Sequence, residues 1–179
     1  ETIAIVGGGD KIDAMRRLDA LSPGDQSKIH WQCVGLLSFT FDWLGRQLED
    51  WNLISTGEQF ETLRGHCAAS LRNRSECESE TSEQTSAFPC HLVDVNCFYR
   101  RGEPSPLPEN WTTTTDAIAG WLSIMLGVEE LVLVKSCDVA EDVSLVRLAE
   151  QGVIDATLPR LSGDLPRVRF VNLSVERGG

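Results

Sequence analysis

The chain has 179 residues, 41% of them hydrophobic, which is enough for one domain with its own core. Its formal net charge of -11 excludes a protein that binds nucleic acid through clustered Lys and Arg. No apolar stretch approaches the roughly 20 residues of a membrane-spanning helix, so we expect no membrane partner and a cytoplasmic location.

Six cysteines are spread along the chain without a CxxC pair. Because a chain with a sufficient core does not need disulfides, we expect reduced and mostly buried thiols. The sequence predicts no metal site, since the Cys and His residues of the middle segment match no zinc-binding spacing. These residues are His66, Cys67, Cys77, Cys90, His91 and Cys97.

The N-terminal part of the chain predicts a strand, a glycine turn and two helices. An apolar run at 2–6 breaks at Gly7-Gly8-Gly9, where backbone amides can approach a ligand without a Cβ in the way. Helical spacing of apolar residues predicts helices over 10–21 and 26–48, the second well buried. By itself, the glycine turn is equally typical of a tight connection that binds nothing.

The middle of the chain predicts two strands separated by a helix and a polar loop. The strands are expected at 51–54 and 91–98, and Thr56 is expected to cap the helix between them. Residues 72–86 are rich in Ser and Glu and lack apolar periodicity, so they predict a mobile polar loop.

Four threonines and an aspartate, Thr112 to Thr115 and Asp116, follow Trp111 and predict the start of a helix over 116–126. Threonine side-chain oxygens can accept hydrogen bonds from the first amides of a helix, and Asp complements the positive end of the dipole. Gly127 is expected to end this helix. An aspartate in this position is also a common cap with no further role.

A core strand with near-continuous apolar character is expected at 131–134, with Lys135 at its carboxyl end. Ser136 and Asp138 follow in a loop. A cation placed there can reach a phosphate, although a strand-end lysine is often only solvated.

A short helix over 143–150 and an alternating strand over 167–173 complete the pattern. Strands that alternate with helices predict an α/β fold with a mainly parallel sheet. Ligands bind such sheets at the carboxyl ends of the strands.

The order of these motifs resembles the amino acid kinase superfamily, which includes aspartate, acetylglutamate and uridylate kinases. Within it, His30-Trp31 and Trp111 are most similar to the aminomethylfuran phosphate kinase-like subgroup. The resemblance covers most of the chain, except 72–86 and the last residues. It implies a three-layer αβα sandwich formed by a single domain over 1–179, whose N-terminal strand lies upstream of Glu1.

The resemblance also implies an activity: ATP-dependent phosphoryl transfer to a small-molecule acceptor, in methanofuran/methanopterin-type one-carbon cofactor biosynthesis. ATP and Mg²⁺ are the implied cofactors, and a homo-oligomer is the implied assembly. Catalysis of this kind consists of positioning and charge neutralisation, with little covalent work for the protein.

The resemblance assigns roles to individual residues. Asp116 corresponds to the catalytic aspartate that orients phosphate-neutralising lysines, and Thr114 and Thr115 are expected to bind the substrate. The glycine turn is expected to line the acceptor and transfer region. The implied cofactor-binding set is Gly7, Gly8, Gly9, Lys135, Ser136 and Asp138.

Two alternatives stay open from the sequence. One is a non-catalytic ligand-binding or regulatory domain of the same fold, without the lysine that the family carries near its N-terminal strand. The other is a structural oligomer that pairs through the apolar helix over 26–48.

Overall fold

The computed structural model of the chain describes residues 1–76, 89–140 and 143–173 and has a mixed α/β structure. Its helices are α1 (Gly9–Leu21), α2 (Gln26–Gly45), α3 (Gly57–Glu76), α4 (Thr115–Leu126) and α5 (Leu145–Glu150). Its strands are β1 (Thr2–Ala4), β2 (Asn52–Ile54), β3 (Cys90–Val93), β4 (Glu130–Lys135) and β5 (Arg167–Asn172). Short 3₁₀ helices span Val95–Cys97 and Leu158–Leu161. The chain divides into two compact units, Glu1–Trp111 and Thr112–Gly179.

The first unit contains a three-stranded parallel sheet in the order β1-β3-β2. In its register Ile3 pairs with His91, and His91 pairs with Asn52. Helix α2 packs against β3 and the 3₁₀ helix that follows it. The core of this unit is made of residues that alternate on the sheet or recur at helical spacing. It includes Val34, Leu37, Phe41, Phe60, Leu63, Leu92 and Val93.

The two N-terminal helices differ in how well they are buried. Asp25 caps α2 by accepting a hydrogen bond from the Lys28 N–H at 3.1 Å, and α2 ends at Gly45 rather than at residue 48. Glycine has a low helix propensity, so an ending there is expected physically. Helix α1 contains no buried residue, so its predicted apolar face is only partly covered.

Helix α3 begins with a capping box. The Thr56 hydroxyl accepts from the Gln59 N–H at 3.2 Å, and the Gln59 side chain accepts from the Thr56 N–H at 3.1 Å. The helix extends to Glu76, so residues 72–76 of the predicted polar loop are helical. Elongation adds one backbone hydrogen bond per residue, so a helix can continue past its apolar stripe. The rest of that loop, with Cys77, lies outside the described residues.

Strand β3 ends at Val93, five residues before the predicted end at 98. Asp94 causes the change of direction, because its carboxylate accepts from the Asn96 N–H at 3.0 Å and begins the 3₁₀ helix. The carboxylate also accepts from the Ser38 hydroxyl at 2.8 Å, which ties the turn to α2.

The second unit contains a two-stranded parallel sheet formed by β4 and β5. One face of β4 is buried through Leu131 and Leu133, whereas Val132 and Val134 on the other face are 38% and 55% exposed. The core strand expected at 131–134 is therefore present but is buried on one face only. A Cβ at Gly120 of α4 would lie 2.6 Å from Leu158 Cδ1, so α4 approaches the second 3₁₀ helix closely.

The α/β class and the parallel pairing of strands are confirmed for the residues that the structure describes. The three-layer sandwich and the single-domain organisation stay predictions. Within the described ranges, no helix combines the length and apolar character that crossing a bilayer requires.

Candidate functional site

The first turn of α4 and the last residue of β4 form a close ion pair. A short connection after Gly127 reverses the chain, so the carboxyl end of β4 returns to the beginning of the helix that precedes it. Lys135 Nζ donates a hydrogen bond to Asp116 Oδ2 at 2.7 Å. The two side chains are 15% and 16% exposed, so the pair is largely removed from water.

A second carboxylate, Asp155, holds the beginning of α4 from the segment after α5. Asp155 Oδ2 accepts from the Thr114 N–H at 2.8 Å, from the Thr114 hydroxyl at 3.0 Å and from the Ala117 N–H at 2.9 Å. Asp155 Oδ1 accepts from the N–H groups of Thr157 and Leu158 at 3.2 and 2.8 Å. One buried carboxylate therefore caps both α4 and the 3₁₀ helix at Leu158–Leu161.

This capping differs from the sequence-based expectation. Thr114 is the N-cap of α4 and Thr115 its first residue, but the Thr114 side chain makes no capping hydrogen bond to the helix. The Thr114 hydroxyl donates to Asp155 instead. A carboxylate is the stronger acceptor, because hydrogen bonds to an ionised group are shorter and stronger than those to a neutral hydroxyl.

The surroundings of Asp116 disfavour its charged form. Burial raises the pKa of Asp116, and the nearby Asp155 carboxylate adds to the rise. The Lys135 ammonium and a hydrogen bond from the Asp155 backbone N–H act in the opposite direction, but the pKa stays above its ordinary value. The pair therefore depends on Lys135 to keep a carboxylate ionised in a partly desolvated place.

The loop after Lys135 is exposed. Ser136 and Asp138 both lie at the surface, and Asp138 Oδ1 accepts from Asn172 Nδ2 at 2.8 Å at the end of β5. This loop and the ion pair lie at the carboxyl ends of β4 and β5, the edge where parallel sheets bind ligands.

The glycine turn lies in the first unit, after β1. Gly9 begins α1 with a φ of 53°, a left-handed conformation that favours glycine. A Cβ at Gly8 would lie 2.1 Å from Ile12 Cγ1, so glycine is also required there by close packing. The tight-turn interpretation therefore accounts for two of the three glycines.

The structure thus joins Asp116 and Lys135, and it places Thr114 and Thr115 on the same helix start.

Sequence reasoning missed Asp155. Pro159 marks the start of the 3₁₀ helix, but Asp155 lies two residues before its N-cap, Thr157, and has no signal of its own in the sequence. Its contact with α4 spans about forty residues of chain and has no local signature.

No protein-family model and no curated protein matches the chain. Among the described residues, no group of three or more His, Cys, Asp or Glu side chains is arranged to hold a metal ion. Cys33, Cys67 and Cys97 are buried thiols, and Cys137 is exposed.

Proposed function

We propose that the chain is an ATP-dependent phosphotransferase with a small-molecule acceptor, of the amino acid kinase type with its three-layer αβα sandwich. The observation that carries the proposal is the largely buried contact between Lys135 and Asp116 at the carboxyl edge of a parallel sheet. The family resemblance implies an aspartate that orients phosphate-neutralising lysines, and we assign that relation to Asp116 and Lys135.

The physical requirement for phosphoryl transfer is a cation held in place before the negative charge on the phosphoryl oxygens is redistributed. Lys135 is on a strand end, which fixes its backbone, and Asp116 fixes its ammonium. A lysine fixed in this way needs little reorganisation during the reaction, whereas a solvated lysine must first be ordered.

The other assigned roles follow from the same proposal. Ser136 and Asp138 lie in the exposed loop after Lys135, on the nucleotide side, and Mg²⁺ enters with ATP, held mainly by its phosphates. Thr114 and Thr115 lie at the start of α4, on the acceptor side. The acceptor is a small molecule of one-carbon cofactor biosynthesis, and the working form is a homo-oligomer.

The test combines binding and turnover in the same preparation. Binding of Mg-ATP is measured by calorimetry, and ADP formation is measured with a panel of small carboxylates and phosphate monoesters. Asp116→Asn and Lys135→Gln are expected to lower kcat by about 10²- to 10³-fold, the usual effect of removing one preorganised charged group. The fold is checked by circular dichroism.

The matched controls are Glu150→Gln and Arg147→Gln, which make the same charge changes in an exposed ion pair of the same unit. They are expected to leave kcat within about twofold, as is usual for an exposed pair. A folded wild-type chain that binds no Mg-ATP overturns the proposal. So does an Asp116→Asn variant that keeps full turnover.

A further inference from the structure

We infer that Asp155 is a positioning residue, which holds the first turn of α4 so that Asp116 stays in contact with Lys135. This inference rests on the proposed function for its catalytic meaning. The effect of Asp155 passes through Asp116: the Asp155 carboxylate holds the backbone on both sides of Asp116, and the Asp155 backbone N–H donates a hydrogen bond to the Asp116 carboxylate.

The hydrogen bonds show how the backbone of Asp116 is fixed. Thr114 and Ala117 lie on either side of residues 115 and 116, and both donate their N–H groups to Asp155 Oδ2. The short peptide between these anchors carries Asp116 and has little freedom to move away from β4. Asp155 is only 8% exposed, so water competes poorly for these donors.

The segment that carries Asp155 is itself fixed to the beginning of α4. The Thr157 N–H donates to the Thr112 carbonyl oxygen at 3.1 Å. The Thr157 hydroxyl lies 3.2 Å from the hydroxyls of both Thr112 and Thr113. Thr157 is 1% exposed and Thr113 is 4% exposed, so these two hydroxyls are buried. Asp155 therefore lies on a well-anchored segment, and a residue that orients another side chain requires such an anchor.

Replacement of Asp155 is expected to free the Lys135 side chain selectively, which a general loss of stability would not do. An Asn side chain at 155 would present N–H donors to groups that are themselves donors, and several of the five hydrogen bonds would break. The first turn of α4 would loosen and Asp116 would release Lys135. Lysine reacts with an acylating reagent as the free amine, which displaces the leaving group of the reagent, so Lys135 is expected to react faster once its side chain is exposed and no longer held by Asp116.

The acylation rate of Lys135 shows whether its side chain has been released from Asp116, and measuring it does not require the protein to turn over a substrate. The chain contains three lysines, so Lys11 and Lys28 act as internal references for Lys135. The folded protein is treated with limiting acetylating reagent, and the rate at each lysine is measured by mass spectrometry. In Asp155→Asn, the acylation rate of Lys135 is expected to rise several-fold relative to Lys28.

Ser144→Ala is the matched control, because Ser144 caps α5 in the same unit by accepting from the Arg147 N–H. It removes a helix cap without touching α4, so the rate at Lys135 is expected to stay at the wild-type value. If Asp155→Asn does not fold, Thr114→Val replaces it. That variant removes only the hydroxyl hydrogen bond to Asp155 and is expected to raise the rate at Lys135 by a smaller factor.

The outcomes separate this inference from the proposed function. An unchanged rate at Lys135 in a folded Asp155→Asn variant, or an equal rise in Ser144→Ala, overturns the positioning role whatever the turnover. A selective rise supports the role. If the wild-type chain also binds no Mg-ATP, the proposed function fails and only the structural relation remains. With turnover present, Asp155→Asn is expected to lower kcat more than it raises KM.

Discussion

His30 is a buried histidine in the first unit, and it is held by other aromatic side chains. Its Nε2 lies 2.9 Å from the Tyr99 hydroxyl, and its ring packs edge-on against Trp31. Burial lowers the pKa of His30 below its ordinary value of 6.5, although a hydrogen bond with the Asn110 backbone and the charge of Glu109 oppose the shift. The folded chain therefore disfavours the protonated ring.

This pKa shift predicts a loss of stability in mild acid. The unfolded chain binds a proton at His30 below about pH 6.5 and the folded chain binds it less, so stability falls as pH drops through that value. In His30→Gln, the free energy of unfolding is expected to change less between about pH 7 and about pH 5 than in the wild type. Urea unfolding at a series of pH values measures the difference.

The exposed histidine His66 provides the control. Replacement by Gln there removes an imidazole that lies at the surface, so the pH dependence of stability is expected to stay close to that of the wild type. A His30→Gln variant with the full wild-type loss of stability in acid would show that another group titrates on unfolding.

The individual residues of the candidate site were predictable to different degrees. Lys135 follows an apolar run and Asp116 follows a row of threonines, and both signals are local. Their roles as a bound pair depend on the return of β4 to α4, which short connections make common in α/β structures. Asp155 acts at long range, and no periodicity or cap motif marks such a contact.

At the scale of elements, Gly127 ends α4 in a left-handed conformation with a φ of 63°. The N–H groups of Gly127 and Val128 donate to the carbonyl oxygens of Ile124 and Ser123, which is the Schellman pattern. A residue with a Cβ is strained in this conformation. The position of this helix end was predicted from the sequence because the signal is a single glycine after an apolar stripe.

We predict opposite effects for two glycine-to-alanine changes. Gly127→Ala is expected to lower the free energy of unfolding by about 1–2 kcal/mol, because the alanine Cβ is strained in the left-handed conformation. Gly65→Ala, in the interior of α3 with nothing within 4 Å of its Cβ position, is expected to raise stability by up to about 1 kcal/mol. Chemical denaturation measures both, and a stabilising Gly127→Ala would contradict the assigned helix end.

The sequence predicted each of the five helices found in the described residues, but the ends of several elements differ from the predictions. The end of β3 depends on the Asp94 side chain, which turns the backbone through a hydrogen bond to Asn96. The exposure of Val132 and Val134 depends on whether a second layer covers the sheet. Neither cause is visible in the periodicity of apolar residues.

At the scale of the whole molecule, the α/β class with parallel strands was predictable from the alternation of strands and helices. The division of the contacts into two units was not, since it depends on which distant segments pack together. The three-layer sandwich stays a prediction for the same reason. Charge, in contrast, is fully given by the sequence and has a consequence for stability.

A formal net charge of -11 predicts that salt stabilises the folded chain. Self-repulsion among like charges destabilises a compact state, and raising the ionic strength from about 0.02 M to about 0.2 M screens it. The same salt weakens exposed ion pairs such as Arg16–Asp13 and Arg64–Glu61. Each exposed pair contributes little, so relief of repulsion is the larger effect.

The expected result is a rise in Tm of about 2–4 °C, which corresponds to roughly 1 kcal/mol for a chain of this size. Thermal unfolding followed by circular dichroism in NaCl and in KCl measures it. Equal shifts in the two salts indicate screening, whereas a shift in only one indicates binding of a particular ion. A fall in Tm in both salts would mean that ion pairs stabilise the folded chain more than its net charge destabilises it.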